Sequence, residues 1–361
     1  MDGRIRIILY DTNVINLMIG KEALSGCFDV LTVPSGKKLF CALGIFKPDM
    51  ILVNVNASDD EGMEAIQQLK SDPGTVDIPL LFLAAQDDRE SQEKGLCLGA
   101  ADYITKPYTA AMLLYAIERH LMLAAQQKEI SRYKEAAERY IMQKNTPLPE
   151  LEGSRFHHLL ASTDCRIYES DKLSVGDYRC YLIAMIDEMQ RRGIYSHELS
   201  LMDKDIFVDS AKLHDIGNMV VRDDILEKPG KLTNEEYDQV KGHTVFGVKV
   251  IEEFENDTGK REFFDNAKLF AASHHERWDG SGYPLGLRER EIPLQGRLMA
   301  VIDVYNALVS ERSYKRAHSH ETAREIIKKS RGIHFDPLLV DIFLSVSDKF
   351  AEIRKSNNCI V

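Results

Sequence analysis

The sequence predicts two domains of different class joined by a long helix. The first is an α/β domain on a doubly wound, five-stranded parallel sheet, and the second is all-α. Three observations carry this expectation. Short apolar runs alternate with helical patterns up to about residue 109, residues 110–144 contain neither Gly nor Pro, and from about Leu151 onward no alternating strand pattern of useful length occurs. The expected divisions are 1–109, a helical connector at 110–145, and 146–361.

The first strand is Ile5-Arg6-Ile7-Ile8-Leu9-Tyr10, and further apolar runs lie at Asp29–Val33, Met50–Val55, Pro79–Ala84 and Asp102–Ile104. Between the third and fourth, Met63, Ile66 and Leu69 repeat every three residues, the spacing of one helix face. Strands alternating with helices in this way give a parallel, doubly wound sheet. In the connector, Leu114, Ile117, Leu121, Ile130, Tyr133, Ala137 and Tyr140 fall near one stripe, so a single helix is expected. At 1.5 Å per residue it would span roughly 50 Å and stop at Asn145-Thr146-Pro147-Leu148-Pro149. Such a helix exceeds what its own sheet domain can cover. Pairing with a second protomer as a coiled coil, giving a homodimer, is one reading, and a solvated strut is the other. The spacing is not a strict heptad.

The chain has 361 residues, enough for two domains that each bury a core. Its 57 acidic and 46 basic side chains leave a net charge of −11, which argues against binding a nucleic acid polymer over a broad basic face. The six cysteines are scattered without a CxxC pair, as expected in a reducing compartment and not in a thiolate metal site. No run approaches the roughly 18 apolar residues of a membrane span, and the chain opens into a strand-like segment instead of a signal peptide. A soluble cytoplasmic protein is expected.

The chemistry-bearing stretch is His274-His275-Glu276-Arg277-Trp278-Asp279-Gly280-Ser281-Gly282-Tyr283-Pro284. Adjacent imidazoles, two acids and a Gly-Ser-Gly turn make a poor core helix and a good metal-lined loop. Upstream lie Leu213-His214-Asp215-Ile216-Gly217 and His243; downstream, Asp303 interrupts the apolar run Leu298-Met299-Ala300-Val301-Ile302. An ionised carboxylate in an apolar helix is costly unless paired or bound to a metal, which connects Asp303 with the histidines. Six candidate ligands result: His214, Asp215, His243, His274, His275 and Asp303. Imidazole plus carboxylate without thiolate suits iron, manganese, zinc or cobalt. The plainer reading takes each His as an isolated polar residue.

Adjacent helical residues diverge by about 100°, so His214 and Asp215 can share a metal only near a helix end, which Gly217 would supply. Thr233 and Glu236 form a capping box for the next helix. On that helix Val240, His243 and Gly247 share a face, with Gly247 leaving room for a metal or substrate or allowing close packing.

His214-Asp215-Ile216-Gly217, Lys228-Pro229-Gly230-Lys231-Leu232, His243, the His274–Pro284 run and Asp303 together resemble the HD-GYP family of metal-dependent cyclic dinucleotide phosphodiesterases, over about residues 150 to 345. The resemblance implies an HD-superfamily domain and two divalent metal ions, iron with manganese as the alternative, that hydrolyse cyclic di-GMP or a related cyclic dinucleotide. It implies that Asp215 bridges the ions, that His214 and Asp303 complete one site, and that His243, His274 and His275 complete the other. Glu276 and Asp279 would orient the His ligands through their outer N–H. Tyr283, in the signature loop, and Asn218 would meet substrate. Arg312 and Lys315 match positions that meet the substrate's phosphates.

The first domain, with Ala100-Ala101-Asp102-Tyr103-Ile104-Thr105-Lys106-Pro107 after its fifth strand, resembles the flavodoxin-like receiver domain of response regulators. Three of the family's four switch positions are altered. Asn54 stands at the phosphate-accepting position, the acidic pair is reduced to Asp11 after Tyr10, and Ala84 replaces Ser or Thr; Lys106 remains. An amide has no anionic oxygen to attack a phosphoryl donor, so a receiver without phosphorelay chemistry is expected, kept for dimerisation or for signalling partners.

The second domain also departs from its family. Gly176 stands where the family supplies a further His ligand, with Asp177 next door as a substitute. Asn218 replaces a Lys after His-Asp-Ile-Gly, and Asn306 replaces an Asp three residues after Asp303. Losing a charged contact to a developing phosphorane costs about 3 kcal/mol, or about a hundredfold in rate. The alternative function is therefore a catalytically weak or silent module that binds nucleotide or a partner protein.

Overall fold

The computed structural model describes residues 4–54, 60–85, 99–144, 175–226, 228, 230–255, 261–311 and 317–357. The chain divides into two compact units, Met1–Ala125 and Gln126–Val361. The division falls inside the connector helix, ahead of the boundary expected at its end.

The first unit holds β1 (Arg6–Asp11), α1 (Val14–Leu24), β2 (Asp29–Val33), α2 (Gly36–Phe46), β3 (Met50–Asn54), α3 (Asp60–Ser71), β4 (Leu80–Ala85) and β5 (Asp102–Lys106). The strands form one parallel sheet in the order β2-β1-β3-β4-β5, the expected architecture. Successive strand residues face opposite ways. Ile7, Leu9, Leu52 and Leu83 thus pack with Leu17 and Leu24 of α1, while Ile8, Tyr10, Ile51 and Val53 pack with Leu39 and Leu69. Burial on both faces explains why the strands read as unbroken apolar runs. Asn13 caps α1 by accepting from the backbone N–H of Ile15 and Asn16. That helix buries only Leu17 and Leu24.

The helix α4 runs unbroken over Ala110–Lys144, as the missing Gly and Pro predict. Its apolar stripe is not left free for a second protomer, and neither is it a solvated strut. Leu113 and Ile117 complete a sheet face in the first unit. In the second unit Ile130 and Tyr133 pack with Val248, Leu269, Ala272, Leu287 and Ile292, and Ala137 is fully buried. Tyr140 donates to the carbonyl of Asp238 at 2.5 Å and meets the Phe246 ring edge-on at 5.9 Å. The stripe that was to pair two protomers is thus covered by residues of the same chain. The sequence could not show it because the partners lie more than a hundred residues downstream. The Thr146–Pro149 stop lies outside the described residues.

The second unit continues with α5 (Val175–Arg192), α6 (Ser196–Leu201), α7 (Lys204–Ser210), α8 (Asp223–Leu226), α9 (Asn234–Lys241), α10 (His243–Glu255), α11 (Arg261–Ser273), α12 (Leu294–Val309), α13 (His320–Lys329) and α14 (Pro337–Asn357). Its main core joins α5, α11, α12 and α14 through Tyr181, Phe270, Tyr305, Phe343 and Phe350, with Tyr181 and Phe350 stacked at 4.2 Å. Among the described residues no helix is long and apolar enough to cross a membrane.

Tyr133 is 1% exposed and closes the back of α10 and α11. Replacing it with Ala removes a large buried ring and leaves a cavity, so Tyr133→Ala is expected to destabilise the second unit by about 3–5 kcal/mol in denaturant unfolding. A loss below about 1 kcal/mol would show that α4 is only loosely attached there.

Candidate metal centre

After α7 the chain tightens into a 3-10 turn at Ala211–Leu213, delivers His214, and leaves the helical path at Asp215, whose φ of −104° and ψ of 10° precede a second 3-10 turn at Ile216–Val220. That break lets two adjacent side chains face one point. Gly217 does not stop a helix, as expected from sequence, but permits a close approach. A Cβ there would lie 1.9 Å from the carbonyl oxygen of His243 and 2.6 Å from the amide of Gly247. The turn is thereby pressed against the start of α10.

The capping box of Thr233 and Glu236 is present, but the helix it starts ends at Lys241. His243 opens a new helix and does not share one with Val240. Gly247 serves close packing, with Ala271 Cβ 3.1 Å from where its own Cβ would be. His274 and His275 follow the last residue of α11.

The side chains from these turns converge. Asp215 Oδ1 lies 3.4 Å from His243 Nε2 and 3.4 Å from His274 Nε2, and Oδ2 lies 3.5 Å from His214 Nε2. His243 Nε2 and His274 Nε2 are 3.2 Å apart. One donor atom each from His243, His274 and His275 falls within 4.8 Å of the others. Asp303, partly exposed on α12, is near enough to act electrostatically on His274 and Tyr283.

Backbone carbonyls fix three of the rings. His214 Nδ1 bonds the carbonyl of Ala211 at 2.9 Å, His243 Nδ1 that of Val240 at 2.6 Å, and His274 Nδ1 that of Phe270 at 2.9 Å. A carbonyl only accepts, so each Nδ1 carries a hydrogen and each Nε2 is the ring atom that faces inward. This orienting task had been expected of Glu276 and Asp279, and neither performs it. Buried Glu276 accepts instead from the amides of Leu285 at 2.8 Å and Leu287 at 3.1 Å, and burial pushes its carboxyl up to about 7. Exposed Asp279 accepts from the amide and hydroxyl of Ser281 at 3.0 and 2.6 Å. Both organise the loop.

That loop is pinned elsewhere too. Trp278 and Asp279 donate to the carbonyls of His334 and Ile333, each at 3.0 Å. A Cβ on Gly282 would lie 2.3 Å from the Arg277 amide, so only glycine fits. Tyr283 donates its amide to the His275 carbonyl at 3.2 Å and sets its ring 5.0 Å from that imidazole. Asn218 donates its amide to the Asp215 carbonyl at 2.9 Å, at the edge of the centre. Arg312 and Lys315 lie outside the described residues. Gly176 falls in the first turn of α5, and the Asp177 side chain is outside the described residues.

Sequence reasoning missed Tyr178. Its ring lies 5.2 Å from that of His214, and its hydroxyl accepts from Asn306 Nδ2 at 2.7 Å. One tyrosine among 14 carries no signal that could have singled it out.

The electrostatics follow from burial. It lowers His214, holds His243 down at about 4 and puts His275 well below the usual imidazole range. Burial alone would raise Asp215, but His214, His274 and His243 together pull it well below the usual carboxylate range. His274 runs the other way: burial, the largest single influence, lowers it, but the hydrogen bond to Asp215 and the charges of Asp215 and Asp303 together raise it. At His214, His243 and His275 burial thus favours the neutral imidazole beside an ionised carboxylate, the protonation states that metal ligation requires. His214 Nε2 is buried with no hydrogen-bond partner, a donor atom for which an ion is the natural complement.

At the sheet end of the first unit, Asn54 Nδ2 donates to Asp11 Oδ2 and Lys106 Nζ donates to Asn54 Oδ1. Asp11 also accepts from the Asn13 amide at 2.7 Å. Ala84 is buried and offers no hydroxyl. The amide of Asn54 ties the one remaining acid and the lysine together.

Two outcomes are expected. Titration with a divalent metal near neutral pH should release a proton, since the ion must displace the one that His274 shares with Asp215. Affinity should therefore fall as pH drops through the raised His274 value, long before the value near 4 at His243 is reached. Calorimetry in two buffers of different ionisation heat checks this, and identical apparent heats would contradict it. Incubation with a small phosphodonor should leave the first unit unlabelled, and phosphate recovered on it would overturn the account of Asn54.

The HD domain family matches residues 197–339 and the response regulator receiver domain family matches residues 7–118. A probable cyclic di-GMP phosphodiesterase of Vibrio cholerae is 32% identical over 97% of this chain and 79% of its own length. The cyclic di-GMP phosphodiesterase of Thermotoga maritima is 28% identical over 97% of this chain and 92% of its own. The cyclic di-GMP phosphodiesterase response regulator RpfG of Xanthomonas campestris is 29% identical over 84% of this chain and 76% of its own. Both matched domains occur in the order that the two folds require, and the chain belongs to the family of receiver-linked HD-domain proteins that includes cyclic di-GMP phosphodiesterases.

Proposed function

We propose that the second unit hydrolyses a phosphodiester bond of a cyclic dinucleotide, cyclic di-GMP to linear pGpG or GMP, in bacterial second-messenger signalling. The observation that carries this reading is the convergence of both Asp215 oxygens on imidazoles from three separate segments. One carboxylate whose oxygens face different ligand groups is suited to bridge two cations. We assign His214 and Asp303 to one cation and His243, His274 and His275 to the other.

A pair of divalent ions, iron with manganese as the alternative, supplies Lewis acidity to the phosphate and lowers the pKa of water for in-line attack. The protein's share is positional. The three backbone-held rings keep their Nε2 atoms fixed, so little reorganisation is needed when substrate arrives. Tyr283 walls the centre beside His275, and Arg312 and Lys315 are assigned to the substrate's phosphates. The exposed free thiols of Cys27, Cys41 and Cys180 fit a cytoplasmic setting. The first unit, silent in phosphorelay, serves association.

A binding module without turnover is the second reading. It is favoured by Asn306, whose amide is spent on the Tyr178 hydroxyl where the family has an acid, and by Gly176. One assay separates the two. Protein loaded anaerobically with ferrous or manganous ion is expected to convert cyclic di-GMP to linear product by chromatography. Asp215→Asn should lose more than the about 10–100-fold typical of a group that only supports a ligand. Binding without product under either metal would establish the module.

A further inference from the structure

The signature loop, which runs from His275 to Tyr283, is held from behind by a second stretch of chain. Residues 285–292 lie alongside it, where an antiparallel bridge pairs Asp279 with Arg288 and the Glu289 amide donates to the Trp278 carbonyl at 3.0 Å. A Cβ on Gly280 would lie 2.4 Å from Arg288 Cγ, so the two stretches are in close contact. Glu276 joins them again directly after His275, accepting from the amides of Leu285 and Leu287. This carboxyl is 1% exposed, and parting a buried acceptor from its donors is costly, so loop and brace move together.

The far side of the brace faces α4. Leu287 and Ile292 are 4% and 2% exposed and belong to the same buried cluster as Ile130 and Tyr133. Burial raises the Tyr133 hydroxyl and the charge of Glu276 raises it further, which puts this ring beside the carboxylate that ties brace to loop. We infer that Tyr133 is a positioning residue for the metal centre: its ring fixes the brace, and the brace, through Glu276, fixes the loop that His275 begins and Tyr283 ends. Close-packed interiors pass a displacement on, so taking the ring away shifts the loop. The helix that carries Tyr133 thus contributes to the centre although none of the six candidate ligands lies on it. The positioning role rests on the metal centre proposed above.

The competing account is that the backbone bonds of the brace suffice and Tyr133 only fills space. Replacing the ring would then lower the melting temperature and do nothing else.

Trp278 separates the two. It is the single tryptophan of the chain and sits partly buried in the loop, so its fluorescence reports the loop without any need for metal. In the full chain at temperatures well below melting, Tyr133→Leu is expected to move Trp278 emission to the red and to speed its quenching by acrylamide. Tyr133→Phe keeps the ring and should match the wild type. Manganese alone, titrated into each protein, should bind about 10–100-fold more weakly to Tyr133→Leu, the loss typical of a disturbed support behind a ligand. A Leu variant that melts earlier with Trp278 unchanged overturns the positioning role, and so does one whose Trp278 moves while manganese affinity stays the same. A Phe variant as displaced as the Leu variant overturns the assignment to the ring. A wild type that binds no manganese counts against the assigned centre, and the Trp278 comparison still decides whether Tyr133 holds the loop. Should Tyr133→Leu fail to fold, Ile130→Ala loosens α4 against the same cluster from one turn earlier. A shifted Trp278 in that variant supports the brace, and an unshifted one overturns it.

Discussion

Taking a carboxylate and several imidazoles out of water is unfavourable unless each finds a partner, and the second unit is built around that requirement. Asp215 is held ionised by three imidazoles, each from a different turn. None of those turns could bring its imidazole to Asp215 alone. The break at Asp215 has value only because Gly217 lets the turn lie against α10, and α10 lies where it does because Gly247 lets it touch α11. The cluster is therefore a readout of how closely three backbones approach, and the glycines set that approach.

Polar pairing elsewhere supports the same geometry. Lys268, buried in α11 five residues after Phe263, is neutralised by Glu255 at 2.5 Å and Asp265 at 3.2 Å. Asn266 and Gln295 bond at 2.7 Å between α11 and α12. The Lys268 pairs tie α11 to α10, and the Asn266–Gln295 bond fixes the helix that precedes the His pair against the helix that bears Asp303. The second half of α4 adds an apolar wall behind them, so a segment resembling a linker is part of the domain that it leads into.

Much of this was legible in the chain. The alternation of apolar runs gave the parallel sheet, and the absence of Gly and Pro gave α4 to its ends. The residues that meet at the centre were marked by chemistry, since acids and imidazoles rarely interrupt apolar stretches without reason. What stayed hidden depended on distance in sequence. The partners of Tyr133 lie at Val248 and beyond, and the Tyr178 hydroxyl meets Asn306 across 128 positions. Local period also misled at His243, because α9 and α10 join at Gly242 with helical dihedrals and read as one helix.

The carbonyls of Ala211, Val240 and Phe270 that steer the imidazoles have a further implication. A main-chain oxygen is supplied by any amino acid, so the aim of the rings depends on the backbone path at those three places and not on the chemistry of their side chains. The aim of the imidazoles is then set by the main chain, whereas Asn306 acts through its own side chain and has no such shelter. A lineage under relaxed selection would lose contacts of that kind first and keep the arrangement of the imidazoles.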